Sequence, residues 1–279
     1  MDDFRDKIER LDLALFQHIE SQSTKSDQTS LLMLELAFRQ TCQEFVYLEI
    51  GSHLGGSLQS LVADPQCARI VSIDPRPPFQ PDERGQNCIY PENSTARMLQ
   101  LLRAIPGADI QKIHTLDAGT DTIPPADIPY PPDFCFVDGE HTDAAVLRDA
   151  RFCLQVMKEN GCIVFHDANI IYRGVDQFVK ELAEAGRGFR AYVLPESVFV
   201  IELGNCRLNE CAVIRPLLVN NYKGYLWSLM TNDQFRQIVR RPVIQKLLKA
   251  EACWERCREA IKSRRVCAII KRRIMRWFS

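Results

Sequence analysis

Between residues 45 and 203 the chain alternates short apolar runs with stretches of helical spacing, and no other feature limits its fold so much. The runs are FVYLEI, ARIVSID, IQKIHTL, FCFVDG, CIVFHD, FRAYVL and VFVIEL. Between them lie segments such as 57–62, 95–102, 143–158 and 175–185, which read as helices. Strands that alternate with helices predict an α/β fold: a Rossmann-like, doubly wound, mostly parallel seven-stranded sheet covered on both faces. The last two runs are separated only by Pro195-Glu196-Ser197, too short for a crossover, so the last strand is expected to be antiparallel. Residues 76–93 are Pro-rich and polar, and read as a long loop near a ligand crevice.

Helical patterns at 4–20 and 27–41 precede this core, joined by the polar linker SQSTKSDQ, and the chain beyond 215 is helical and basic. The expected division is an N-terminal helical segment at 1–41, a core at 42–206 and a basic helical extension at 207–279. Charge marks the last boundary. The net charge of −1 hides 18 Lys/Arg against 31 Asp/Glu in residues 1–206, and 17 against 5 in residues 207–279. A balance of −13 followed by one of +12 suggests that the last quarter meets something acidic. Within it, IKSRRVCAIIKRRIMRWF (261–278) sets Val266, Ile269, Ile270 and Ile274 at helical spacing opposite basic residues. Such a helix suits peripheral contact with a membrane, or packing on the acidic body or on a second subunit of a homo-oligomer. Nucleic acid is disfavoured, because aromatic residues are not interleaved as a stacking platform requires. The start, MDDFRDKIERLD, lacks the basic-then-apolar order of a signal peptide, and no apolar run reaches the roughly 18 residues of a membrane span. Eleven cysteines without CxxC or zinc spacing read as reduced thiols. The expected location is therefore cytoplasmic, with the inner membrane surface as the place where the tail would dock.

The segment VYLEIGSHLGGSLQSLVADPQCARIVSIDP (46–75) carries the first site signal. Its first strand ends at Glu49, a turn with Gly51, Gly55 and Gly56 follows, and the second strand ends at Asp74. The glycines let a backbone approach a ligand without a Cβ in the way. Asp74 is placed to accept hydrogen bonds from both hydroxyls of a ribose, while Glu49 and the turn amides face the ligand's other end. The spacing E-x-G-x-x-x-G-G differs from the G-x-G-x-x-G of nicotinamide and flavin sites. Further along, Asp138 closes the fourth strand and His166-Asp167 the fifth, with His141 three residues after Asp138. Asp138 and Asp167 could hold one Mg²⁺ through carboxylate oxygens, with Asn169 or His166 near it. A neutral His141 could act instead as a general base.

Taken in order, LEIGSHLGGS (48–57), VSIDP (71–75), FVDGEHTDAAVLRDARFCL (136–154) and NGCIVFHDAN (160–169) resemble class I methyltransferases that use S-adenosyl-L-methionine. Within that group the sequence resembles the branch of macrolide-sugar and other small-molecule O-methyltransferases. The resemblance implies that Glu49, Gly51 and Ser52, with Gly55 and Ser57 of the same loop, hold the methionine part of the cofactor. It implies that Asp74 holds the ribose and Asp117 lies beside the adenine. Asp138, His141 and His166 are then the catalytic candidates, Asp138 also facing the cofactor, and Asp138, Asp167 and Asn169 the metal candidates. His166 departs from the pattern, since several metal-dependent members carry a second acid there and histidine is a poorer Mg²⁺ ligand. The implied acceptor is a hydroxyl on a small molecule or carbohydrate. The rival reading is a catalytically weak cofactor-binding scaffold that recruits an acidic partner through its tail.

Overall fold

The structure, a computed structural model, describes residues 2–85, 87–242 and 246. One compact unit runs to Trp227 and a second begins at Ser228. The basic stretch 261–278 lies outside the described residues.

Two helices, α1 (Asp2–Glu9) and α2 (Lys25–Thr41), lead into β1 (Phe45–Ile50), a short α3 (Gln59–Ala63) and β2 (Cys67–Ile73). Next come a hairpin of β3 (Phe79–Pro81) and β4 (Asn87–Ile89), then α4 (Thr95–Arg103), β5 (Ile113–Leu116) and β6 (Phe134–Val137). The unit continues through α5 (Asp143–Val156), β7 (Cys162–Phe165), α6 (Tyr172–Glu184), β8 (Phe189–Val193) and β9 (Phe199–Leu203). A last described helix, α7, spans Tyr222–Arg240.

Seven strands form one sheet in the order β5-β2-β1-β6-β7-β9-β8. Those from β5 through β7 pair in parallel, and β9 runs antiparallel to both β7 and β8, as the short Pro195–Ser197 link requires. The chain winds outward from β1 to β5, then returns to start β6 on the other side of β1. Strand order therefore reverses between β1 and β6, and a crevice opens beyond their carboxyl ends. Glu49 and Asp138 stand at that reversal.

Every residue of β6, β7 and β9 is buried, which explains why these strands read as unbroken apolar runs. On one face lies α2, whose Phe38 ring stacks at 5.4 Å on Phe45 and 5.1 Å on Phe134. Tyr47 meets Phe134 edge-on at 4.8 Å. The pattern at 4–20 divides into α1 and a single 3₁₀ turn at Leu13–Phe16. That turn is tied to the start of α3 by Gln59, whose amide accepts from the His18 and Ile19 N–H groups and donates to the Phe16 and Ile19 carbonyls. Thr24 caps α2 in a reciprocal capping box with Asp27, which fixes Asp27 at the buried start of the helix.

The 76–93 segment is more ordered than its composition suggests. Strands of three residues carry too short an alternation to register, and prolines mask it further. The hairpin tip docks next to the start of α5: the Glu83 N–H donates to the His141 carbonyl at 2.9 Å, and the Asp143 N–H donates to the Glu83 carboxylate at 2.8 Å.

Candidate active site

The turn after β1 is built around a close backbone crossing. Gly51 sits at φ +94°, and a Cβ there would fall 2.2 Å from the Asp138 carbonyl oxygen. Only glycine lets the exit of β1 pass so near that of β6. Gly55, at φ +84°, packs its missing side chain against Leu102. Near the end of β1, Glu49 is fully buried and its two carboxyl oxygens accept from the Tyr47 and Ser57 hydroxyls. Burial pushes its carboxyl up to about 8; the two hydroxyl bonds pull it down without offsetting burial, and Asp138 and Asp74 push it further up. Ser57 thus supports Glu49 rather than standing alone, and the Ser52 hydroxyl turns to Ser72 at 2.7 Å.

Asp74, also buried, accepts from the His53 N–H at 2.8 Å and the Arg76 N–H at 2.7 Å. The Arg76 guanidinium lies 3.4 Å from Asp74 and 3.6 Å from Asp117, donates to the His53 carbonyl, and is itself mostly buried. Asp117 is half exposed and accepts from the Thr95 hydroxyl. His53 has a left-handed φ of +43°, and its Nε2 is buried without a partner while the ring meets Tyr90 edge-on at 5.0 Å.

Across Gly51, two imidazoles and two carboxylates converge. His166 Nδ1 lies 2.9 Å from Asp138 Oδ1 and 3.5 Å from Asp167 Oδ2. His141 Nε2 lies 3.5 Å from the same Asp138 oxygen and 3.6 Å from Asp167 Oδ2. Burial alone would lower both histidines. The Asp138 carboxylate outweighs it for each, aided by Asp27 and Asp167 at His166 and by Asp167 at His141, so His141 is raised and His166 raised well above the usual histidine value. Burial would likewise raise Asp138, but the two imidazoles hold it well below the usual carboxylate range. Asp167 sits at φ +49°, a strained position for a residue with a side chain. Asn169, two residues after Asp167, is exposed.

Gly51, His53, Tyr90, Asp138, His141 and His166 are among the residues around a cavity of about 240 Å³. Beyond Tyr90 and Arg76 an open cavity of about 810 Å³ continues past Asn93, Ser94 and Arg97.

Residues 48–168, which hold all of these groups except Asp27, Tyr47 and Asn169, match a family described as a methyltransferase domain. That match covers less than half of the 279-residue chain. An uncharacterised protein of Acanthamoeba polyphaga mimivirus is 26% identical over 125 residues, which cover 44% of this chain and 52% of that protein. The match therefore spans about half the length of that relative. Among solved structures, the O-methyltransferase TomG of Streptomyces achromogenes is 19% identical, with 73% of this chain and 90% of TomG covered and a TM-score of 0.45. The calicheamicin methyltransferase CalS11 is 16% identical, covering 74% and 94%, with a TM-score of 0.47. MycE methyltransferase from the mycinamycin biosynthetic pathway, solved with Mg and SAH, is 16% identical, covering 73% and 56%, with a TM-score of 0.48.

Several groups of this site carried no signal of their own in the sequence. Arg76 reads as an unremarked residue after Asp-Pro, yet it fills the space between Asp74 and Asp117. Asp27 stands where the polar linker meets the helix at 27–41 and completes the Thr24 capping box, but the same carboxylate also reaches 3.4 Å from His166 Nε2. Asp82, in the hairpin, stands 4.0 Å behind His141 Nδ1.

Proposed function

We propose that the protein transfers the methyl group of S-adenosylmethionine to a hydroxyl of a small-molecule or carbohydrate acceptor. The observation that carries this reading is the division of one crevice by Gly51. Buried Glu49 and Asp74 lie on one side, and the Asp138, His141, His166 and Asp167 cluster on the other.

A sulfonium already carries its leaving group, so the protein's tasks are to align a nucleophile with the methyl carbon and to remove its proton. On the cofactor side, Asp74 gives up Arg76 and accepts from the ribose hydroxyls, and Glu49 ionises to pair with the cofactor's ammonium group. The unpartnered His53 Nε2 is a buried polar atom that a ligand in the cavity would satisfy. On the acceptor side, an incoming hydroxyl meets two carboxylates and two imidazoles, which orient it, and the proton it loses as the C–O bond forms passes to a carboxylate, because both imidazoles are raised toward their protonated form.

Mg²⁺ demands near-octahedral oxygen coordination. Asp138, His141 and His166 turn donor atoms within 4.8 Å of one another, one carboxylate and two imidazoles. That set does not suit Mg²⁺, and no step of this reading passes through it.

The test is calorimetric titration with S-adenosylhomocysteine, followed by transfer of labelled methyl from S-adenosylmethionine into panels of hydroxylated small molecules and carbohydrates. No binding of S-adenosylhomocysteine, or label entering nitrogen or carbon positions only, would refute it.

A further inference from the structure

A third cavity lies at the opposite end of the sheet from the crevice. Its volume is about 660 Å³, within the range of small-molecule sites. Cys67 and Ala68, which begin β2, and Lys112, which stands just before β5, are among its walls. Asp74 lies beyond the other end of β2, roughly 20 Å away at about 3.3 Å per strand residue. No lining residue is shared with either cavity of the candidate active site. Phe4, Leu15, Val62 and Ile105 bring apolar surface to it from α1, the 3₁₀ turn, α3 and the chain after α4.

Against those apolar walls stands a buried cation. Lys112 is 5% exposed, and its Nζ donates to the Asp64 carbonyl at 2.7 Å. An ammonium has three donors, and among the described residues this is the one hydrogen bond it makes. The acids nearby are engaged elsewhere. Asp64 Oδ1 takes the Arg39 guanidinium and the Gln66 N–H, and Asp109 accepts from the Gln111 N–H at 3.0 Å. Burial, with Asp64 beside it, holds the Glu35 carboxyl well above the usual carboxylate value, which favours its neutral form. Lys7, also at the cavity, is paired with Asp3 at 2.6 Å. Burial lowers the Lys112 ammonium from its usual value despite Cys67, Asp64, Glu35 and Asp109 nearby. A buried charge without a close counter-charge is costly, and an anion in the cavity would remove that cost.

We propose that this cavity binds an apolar monoanion of the medium-chain carboxylate class, its acid group on the Lys112 ammonium and its body against Phe4, Leu15, Val62 and Ile105. Two open donors on one ammonium suit one carboxylate, and apolar walls disfavour a small, strongly hydrated ion. The inference holds whatever the methyl donor or acceptor.

The full chain is titrated by calorimetry with octanoate and with 1-octanol as its uncharged match. Octanoate should bind as one saturable equivalent, about 10-fold or more tighter than 1-octanol, through charge-assisted hydrogen bonds. Lys112→Met keeps an unbranched apolar chain and should lose about 10- to 100-fold in octanoate affinity while 1-octanol binds as before. Ala14→Phe, at a partly exposed wall position, should fill the cavity and weaken both probes by about 10-fold or more. Saturating S-adenosylhomocysteine should leave octanoate affinity within a few-fold of its value alone. Circular dichroism reports whether each variant is folded, and where Lys112→Met is not, the wild-type preference for octanoate over 1-octanol and the Ala14→Phe variant decide the matter. The proposal is overturned if the folded wild-type chain binds no octanoate, or binds 1-octanol as tightly. It is equally overturned if folded Lys112→Met or Ala14→Phe binds octanoate like wild type, or if S-adenosylhomocysteine displaces octanoate.

Discussion

Replacing Glu49 by Gln should make the free protein more stable and the ligand-binding protein worse. Glu49 is fully buried and its carboxyl is raised from 4.5 to about 8. A carboxyl raised by folding stabilises nothing above its unfolded value; it costs stability there, because the folded chain keeps a proton that the unfolded chain would release. The cost is absent below about pH 4.5, grows by about 1.36 kcal/mol per pH unit, and levels off above about pH 8. At pH 7 it amounts to about 3 kcal/mol. Gln carries no such cost, but its amide fits the Tyr47 and Ser57 hydroxyls less well than a carboxyl does, for a loss of about 1 kcal/mol. A net gain of about 2 kcal/mol corresponds to a melting temperature higher by about 4–8 °C. The gain should vanish near about pH 5, become a loss of about 1 kcal/mol at lower pH, and increase toward about pH 8. Binding should move the other way. A cationic cofactor needs the ionised carboxylate, so binding at pH 7 should release roughly 0.9 proton, read by calorimetry in buffers of different ionisation enthalpy. Glu49→Gln should release none and lose about 10- to 100-fold in affinity for S-adenosylhomocysteine. A variant that melts lower than wild type at pH 7, or binds equally well with the same proton release, would refute the reasoning.

Asp74→Ala should weaken S-adenosylhomocysteine binding about 10- to 100-fold by removing charge-assisted hydrogen bonds, and calorimetry that finds the same dissociation constant would end that assignment. Arg76→Ala should tighten the same binding several-fold, about 3- to 10-fold, because the ligand no longer displaces a guanidinium from Asp74; weaker binding would show that Arg76 contacts the ligand instead. Asp138→Asn should lower kcat by about 10²-fold or more while the S-adenosylhomocysteine dissociation constant stays within a few-fold, since it acts on the acceptor side. Gly51→Ala should cost about 2–4 kcal/mol in urea unfolding, from a left-handed backbone and a Cβ driven against the Asp138 carbonyl; a loss below about 1 kcal/mol would mean that the crossing is looser than it stands here.

The order of strands and helices, the antiparallel ending and the acids at positions 49, 74, 138 and 167 were all legible in the linear chain. Each depends on neighbours a few residues away: periodicity sets a strand, a three-residue link rules out a crossover, and an acid after an apolar run marks a strand end. The sequence also named His141 and His166, because each stands next to such an end. It could not show that both rings converge on one Asp138 oxygen. Nor could it show that Asp27 and Asp82 stand behind them, or that Arg76 bridges Asp74 and Asp117. Asp27 is explained locally as a helix cap and Asp82 as part of a polar loop, so their composition gives no reason to look further. Their second roles arise only when α2 packs against the sheet and the hairpin docks beside α5. Such contacts are set by packing between distant parts of the chain, and no local spacing rule encodes them.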